Sequence, residues 1–534
     1  MKAEGTNGRR RAYVETYGCQ MNISDGELME GVLAAEGYEI VSTPEEADVV
    51  LVNTCAIREH AERRVLGRVG QLRELKLDDP DVILGVTGCM AQRMGEDLLL
   101  KAPYVDLVMG PDGYRGLADR VAEIRGERPR STDGAAADPG ERAASGSSRL
   151  PSDGERGPGG DGSGRRRLAV LDMDLDENYE GLEQRRSSDV AAWVPIQRGC
   201  DHRCTFCIVP YVRGPEKNRK AEEILSEVRG IAESGVTEVT LLGQTVNSYV
   251  RDGWSFADLL RAVARVDGIR RVRFTSPHPN DVTREMLEVM AGEPAVCEQL
   301  HLPLQSGNDT VLKRMLRRYT VDEFLEKVEL ARSIVPDLAL STDVIVGFPG
   351  EDEDAFRDTL AVMERVRFDD AFTYRYSPRD GTPATRMPDD WIVDDSVAQD
   401  RLERLIETHR RIQEEISAAE LGRVEEILVE REAKHPGQVL GKTRRNKAVH
   451  LPGGEELIGC YRTVRLTETT GATFVGEVVE TRESGIAREA QEVREAREVR
   501  EADESVKAGM ADGRPPEGES HGRRRNQREP ARTP

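Results

Sequence analysis

No stretch of the chain offers about 18 consecutive apolar residues, so no segment is expected to span a membrane. The opening residues, MKAEGTNGRRRAYVETYGC, are partly basic but lack the apolar core of a secretory signal, which makes the cytoplasm the expected location. The one Cys-x-x-Cys pair, Cys204 and Cys207, has no second pair nearby, as structural zinc sites commonly require. The eight histidines show no spacing suited to a metal.

The 534 residues allow about three domains at roughly 150 residues each. A formal net charge of −22 suits a soluble acidic protein with no nucleic-acid partner, but net charge averages over the chain, whereas RNA meets only a local patch. Eight cysteines in an intracellular protein of this size point to metal binding or catalysis rather than disulfides, and their spacing has to decide between them.

Residues 11–126 alternate strand-like and helix-like segments: AYVETYG, ADVVLVNT and DVILGVTG are each followed by a helical stretch, and Ser24 is a plausible helix cap. Apolar runs of strand length alternating with helices imply a parallel sheet in an α/β domain. Residues 127–167 are rich in Gly, Pro, Ser, Asp and Arg and are expected to form a disordered linker or insertion. From 186 to 413 the alternation resumes, with six strand candidates and five crossovers, the pattern of a partial (β/α)6 barrel. Residues 416–483 change to short strands separated by Gly and Pro, the pattern of a small antiparallel β-barrel. The charged tail at 487–534 is expected to be disordered.

The strongest chemical signal is RGCDHRCTFCIVPYVRG, in which Cys200, Cys204 and Cys207 follow the first strand of the expected barrel at a C-x3-C-x2-C spacing. Three thiolates on one short loop can reach three irons of a four-iron cluster and leave the fourth open, where S-adenosylmethionine could chelate. Zinc and plain packing cysteines are the competing readings. Cys19, Cys55 and Cys89 each fall just after a strand of the first block, in YGC, NTC and TGC. In a parallel sheet such positions share one edge, so the three could hold a second cluster, or they could be unrelated core cysteines. Cys297 and Cys460 lie alone and read as packing residues.

Polar residues at later strand ends are candidates for contact with a bound cosubstrate: Gln244, Gln305 and Asp343, with turn chemistry as the alternative. Phe206, between two cluster cysteines, could shield the cluster or pack on adenine. His278 and His301 are weaker candidates at the barrel mouth. In the third block, Lys442, Arg444, Arg445 and Lys447 form a basic loop that could meet phosphates, or could simply be solvated.

The motifs ETYGCQMN, NTCAIREHAERRV, TGCMAQR, RGCDHRCTFCIVPYVRG, LLGQTVNSY, RFTSPHPND, HLPLQSGNDTVLKRM, STDVIVGFPGE and GKTRRNKAVHLPGGEELIG together resemble the radical S-adenosylmethionine methylthiotransferase family, over about residues 12–482 apart from the insertion. YGCQMN, NTCAIRE and the SPHP segment are most similar to the branch acting on N6-dimethylallyladenosine of tRNA. The other branches act on threonylcarbamoyl-adenosine in tRNA or on a ribosomal protein. The resemblance implies a radical cluster at Cys200, Cys204 and Cys207, whose one-electron reduction cleaves S-adenosylmethionine so that hydrogen is abstracted from C2 of the modified adenine. It implies a second 4Fe-4S cluster at Cys19, Cys55 and Cys89, which presents a sulfur methylated by a second S-adenosylmethionine. It further implies a TRAM domain gripping the tRNA substrate and an electron donor such as flavodoxin or ferredoxin. Asn218 and Lys220 depart from the family pattern, where Ser and Pro flank the arginine equivalent to Arg219.

Overall fold

The computed structural model describes residues 10–56, 59–127 and 166–479. The linker expected over 127–167, save 127 and 166–167, the tail over 487–534 and positions 480–483 of the third block lie outside them.

The first sheet contains six parallel strands: β1 (Arg11–Thr16), β2 (Glu39–Ile40), β3 (Val49–Thr54), β4 (Ile83–Gly88), β5 (Leu107–Met109) and β6 (Leu168–Val170), in the order β2-β1-β3-β4-β5-β6. β3 and β4 are buried along their whole length, as continuous apolar strands covered on both faces must be. Helices Gln20–Ala35 and Leu117–Ile124 cover one face through Leu28, Val32, Leu117 and Val121. The helices Glu59–Asp78 and Glu96–Lys101 cover the other through Val65, Val69, Leu98 and Leu99. β6 was not expected from the sequence. It lies beyond the insertion and returns the chain to the sheet edge, pairing Leu107 with Leu168 and Met109 with Val170.

The second block opens with β7 (Ala191–Pro195), then a two-stranded clip of β8 (Gln197–Arg198) and β9 (Lys217–Asn218) around the cysteine loop. β10 (Glu238–Leu242) follows, then a small hairpin of β11 (Val250–Arg251) and β12 (Trp254–Ser255), then β13 (Arg271–Phe274), β14 (Gln299–His301), β15 (Ala339–Val346) and β16 (Asp370–Arg375). β7, β10 and β13 form one parallel sheet, and β14, β15 and β16 another. A parallel bridge between Val272 and Val296, carried by the hydrogen bond Val272 N–H to Ala295 O (2.8 Å), joins the two. The result is the expected six-stranded partial barrel, with helices outside and Val239, Leu241, Val272, Leu300 and Leu340 in its core.

The third block closes as a five-stranded barrel of β17 (Val424–Glu432), β18 (Gln438–Thr443), β19 (Ala448–Pro452), β20 (Tyr461–Thr469) and β21 (Thr473–Val478). It is not wholly antiparallel: β19 and β21 pair in parallel, because β20 crosses over to lie between β17 and β21. This barrel sits on the residues that begin the strands of the partial barrel, namely Thr237, Arg270, Arg271, Glu298 and Asp369. No helix among the described residues is long and apolar enough to cross a membrane.

Candidate cofactor cavity between the two cysteine triplets

The first triplet is set by strand register. β1, β3 and β4 are neighbours in the sheet, Thr16 stands opposite Asn53, and Thr54 opposite Gly88. The loops that leave these strands therefore start side by side, about 5 Å apart. They carry Cys19 at the cap of its helix, Cys55 directly after β3, and Cys89 as the first residue of the helix Cys89–Met94. Two asparagines tie the loops together. Asn22 Nδ2 donates to Asn53 Oδ1 (3.3 Å) and to Thr54 O (3.1 Å), and Asn53 Nδ2 donates to Asn22 O (2.7 Å). Gly88, at φ +92°, lets the third loop close on this tie, since a Cβ there would lie 2.4 Å from Thr54 O. The three cysteines thus sit beside the point where strand order reverses between β1 and β3, a location where parallel sheets gather ligands.

The second triplet hangs from the clip of β8 and β9. The Cys200 amide donates to Gly214 O (3.2 Å) and the Cys207 amide to Cys204 O (3.0 Å), which folds the loop so that its thiols share a side. Cys200 Sγ lies 3.0 Å from Thr245 Oγ1, and Arg317 Nη1 donates to Cys204 Sγ (3.5 Å). Both triplets line one cavity of about 280 Å³. Phe206, Gln244, Gln305, Asp343, His278 and His301 line it too. The Oε1 atoms of Gln244 and Gln305 are buried there without a hydrogen-bond partner. Gln305 holds a left-handed φ of +66° while its amide donates to Asp343 O, a strand-end geometry that brings both residues to the cavity.

Burial dominates the thiol electrostatics. It pushes Cys207 up to about 12 and raises Cys200 and Cys89, because charge is penalised away from water. Cys19 goes the other way, down to about 6: a hydrogen bond from Cys55 is the largest cause, and the positive charge of Arg213 adds to it. Iron binding would fix every one of these sulfurs as thiolate.

Neither triplet is drawn tight enough to be ready-made for a single zinc ion. Zinc–sulfur bonds of about 2.3 Å bring tetrahedral sulfurs about 3.8 Å apart. Among the described residues, the one group of three metal-capable side chains with ligand atoms within 4.8 Å of one another is His202, His278 and Asp281. In each triplet at least one pair of thiols is wider than that, although Cys55 lies within hydrogen-bond reach of Cys19. The histidine group is itself a poor ion site. The two rings stack at 3.8 Å with planes 8° apart, so their in-plane lone pairs run side by side rather than converge.

Three family models match: Uncharacterized protein family UPF0004 over residues 11–110, the Radical SAM superfamily over 194–363, and the TRAM domain over 418–479. The chain is 43% identical over 487 residues to the tRNA-2-methylthio-N6-dimethylallyladenosine synthase of Thermoanaerobacter sp. (strain X514), covering 90% of this chain and 95% of that protein. It is 41% identical to the enzymes of the same name from Symbiobacterium thermophilum and Pelobacter propionicus, covering 88% of this chain in each case and 95% and 98% of theirs. This chain belongs to the tRNA-2-methylthio-N6-dimethylallyladenosine synthase family. Among solved structures, the radical S-adenosylmethionine methyltransferase TsrM of Kitasatospora setae shares the fold. Its TM-score is 0.51 at 13% identity, covering 76% of this chain and 89% of that one. As a radical S-adenosylmethionine enzyme, a member of this family has S-adenosylmethionine and a 4Fe-4S cluster as cofactors.

The basic loop of the family's third domain is held by acidic side chains of the chain itself. Arg444 reaches Glu298 with two nitrogens (2.8 and 2.9 Å) and Val296 O (2.6 Å). Arg445 pairs with Glu420 (2.6 Å) and Glu425 (3.0 Å), Lys447 with Asp369 (2.8 Å) and Lys442 with Glu430 (3.4 Å). Arg445 and Lys447 are buried. Arg444 and Lys447 grip residues of the partial barrel, so this part of the loop forms a seam between the two domains. Reading the sequence also missed the other half of that seam. Arg271 donates to Lys442 O and Glu426 O, and Arg273 to Thr443 O and Arg444 O, all at 2.8 Å. Two arginines alternating along a strand that should be apolar were the signal. Cys297 is buried near this seam and Cys460 lies in the third block, both away from the cavity.

Proposed function

We propose that this protein adds a methylthio group to C2 of N6-dimethylallyladenosine next to the anticodon of tRNA, using two S-adenosylmethionine and two 4Fe-4S clusters. The observation that carries the reading is the common cavity, in which Cys19, Cys55 and Cys89 face the same space as Cys200, Cys204 and Cys207. The first three would hold the sulfur-donating cluster and the second three the radical cluster. When bound, these groups supply the reductive cleavage of S-adenosylmethionine that starts hydrogen abstraction at C2, and the sulfur that replaces that hydrogen.

The chain's own residues hold and shield these groups. The unpartnered Oε1 atoms of Gln244 and Gln305 are acceptors for the amino or ribose donors of S-adenosylmethionine. Asp343, hydrogen-bonded to His301 Nε2 (3.2 Å), adds a carboxylate to the same wall. Phe206 packs edge-on against Phe348 and covers the loop of Cys204 and Cys207. Arg317, anchored to Pro303 O and the Tyr319 hydroxyl, neutralises charge at Cys204. Enclosure by two domains keeps water from reactive species. The electron comes from a donor such as flavodoxin or ferredoxin, and the site of action is the cytoplasm, where tRNA is modified.

The test is anaerobic reconstitution with iron and sulfide, followed by reaction with S-adenosylmethionine, reductant and tRNA carrying either dimethylallyl- or threonylcarbamoyl-adenosine. Methylthiolation of the first substrate is expected. Modification of the second alone, or of neither with S-adenosylmethionine still cleaved, overturns the substrate assignment.

A further inference from the structure

One dipeptide touches both cysteine triplets. Gly214 O accepts the amide of Cys200, while the neighbouring Arg213 sends Nε to Cys89 Sγ (3.1 Å) across the domain boundary. Arg213 caps the short helix Val209–Val212 that follows Cys207, so its backbone belongs to the radical-cluster loop while its donor belongs to the other triplet. The residue is 2% exposed, and its guanidinium is neutralised by Asp25 of the first domain (Nη2 to Oδ2, 2.5 Å). Asp25 is also within 3.4 Å of the Tyr179 hydroxyl. Nη1 of Arg213 is buried without a partner in a residue that lines the cavity. Ala56, Cys89, Ile208 and Val212 form an apolar patch that seals the contact from water.

A buried cation held this way has two effects on sulfur bound at Cys89. It fixes the thiolate's position relative to the other triplet. It also withdraws electron density through a charge-assisted hydrogen bond, which favours the reduced form of a cluster and raises its reduction potential. The free Nη1–H can serve a second sulfur of the same group. We propose that Arg213 is a positioning residue that ties the auxiliary cluster to the radical-cluster loop and raises the auxiliary cluster's reduction potential. This rests on the two-cluster reading given above.

The test uses the full-length, anaerobically loaded enzyme, with iron and sulfide counted and each cluster followed by redox-poised electron paramagnetic resonance. If wild type holds about four irons rather than about eight, the two-cluster reading itself fails. Given about eight, Arg213→Gln is expected to shift the auxiliary potential downward and leave the radical cluster's potential in place. S-adenosylmethionine cleavage should persist while methylthio transfer falls by roughly 10-fold or more, the scale of lost outer-sphere support. Arg213→Lys, which keeps the charge, should recover part of the shift. If Arg213→Gln sheds the auxiliary cluster alone and Arg213→Lys retains it, the positioning role is supported. An unchanged auxiliary potential at full iron content overturns the proposal, as does loss of both clusters in both variants, which would make Arg213 a general folding residue.

Discussion

Replacing Gly88 with Ala puts a methyl group where the chain leaves no room for one. The new Cβ would stand 2.4 Å from Thr54 O, 2.5 Å from Asn53 Oδ1 and 2.9 Å from Thr54 N. Carbon–oxygen contacts normally close at about 3.3 Å or more, so the overlap is nearly 1 Å. The offended atoms are the end of β3 and the asparagine tie to Asn22, and neither can yield without parting the loops of Cys55 and Cys89. With φ at +92° and ψ at −163°, Gly88 occupies backbone space essentially reserved for glycine, which adds about 1–3 kcal/mol for a residue with a Cβ. Overpacking adds about 1–3 kcal/mol, for a total of roughly 2–6. Gly37 is the control for a positive φ without a clash: its φ is +86° and a Cβ there meets nothing within 4 Å. The assay is iron and sulfide content after anaerobic reconstitution, alongside thermal unfolding of each variant. Gly88→Ala should keep about four irons, those at Cys200, Cys204 and Cys207, while Gly37→Ala keeps about eight. Gly88→Ala should also melt lower than Gly37→Ala by several degrees, at about 2–4 °C per kcal/mol for a domain of this size. Equal iron content and equal melting would refute the claim that the asparagine tie and Gly88 build the first triplet.

Arg271→Ala removes a fully buried guanidinium that holds two backbone carbonyls of the third domain, and it should cost about 3–5 kcal/mol at the seam. Limited proteolysis between residues 419 and 424 should then release that domain, and an unchanged digestion pattern would count against the docking role. Burial holds His278 neutral, its imidazole pushed well below the usual value, with the charge of Arg317 as the next cause. The unfolded chain therefore binds the extra proton first, and stability is lost as pH falls below about 6.5, by up to about 1.4 kcal/mol per unit. Thermal unfolding of the apo-protein at pH 7.5 and 5.5 checks this, and His278→Gln should flatten the difference. Cys297→Ala should leave iron content at the wild-type level, because Cys297 is buried away from the cavity, and lost iron would show that a ligand has been misassigned.

Much of the site was legible because parallel strands turn sequence position into spatial position. A cysteine just after each of β1, β3 and β4 must emerge on one edge, and Gln244, Gln305 and Asp343 reach the cavity by the same rule. The partial barrel was legible for a similar reason, since six apolar runs alternate with helices. What stayed hidden depended on partners distant in sequence. The charges of Arg444 and Lys447 look alike on a free loop or in a seam, and only Glu298 and Asp369, 146 and 78 residues away, decide which it is. β6 is three residues long and follows the insertion, too short to show a period of its own. Arg213 stands in a motif read for its cysteines, and its contact with Cys89 spans 124 residues.

Digesting the tRNA of a strain that lacks this protein, and measuring its modified nucleosides, tests the proposed reaction in the cell. The expected result is loss of 2-methylthio-N6-dimethylallyladenosine, accumulation of N6-dimethylallyladenosine, and restoration by the wild-type chain but not by Cys200→Ala. An unchanged level of the methylthio nucleoside in the deletion strain, when no second enzyme of the family is present, would contradict it.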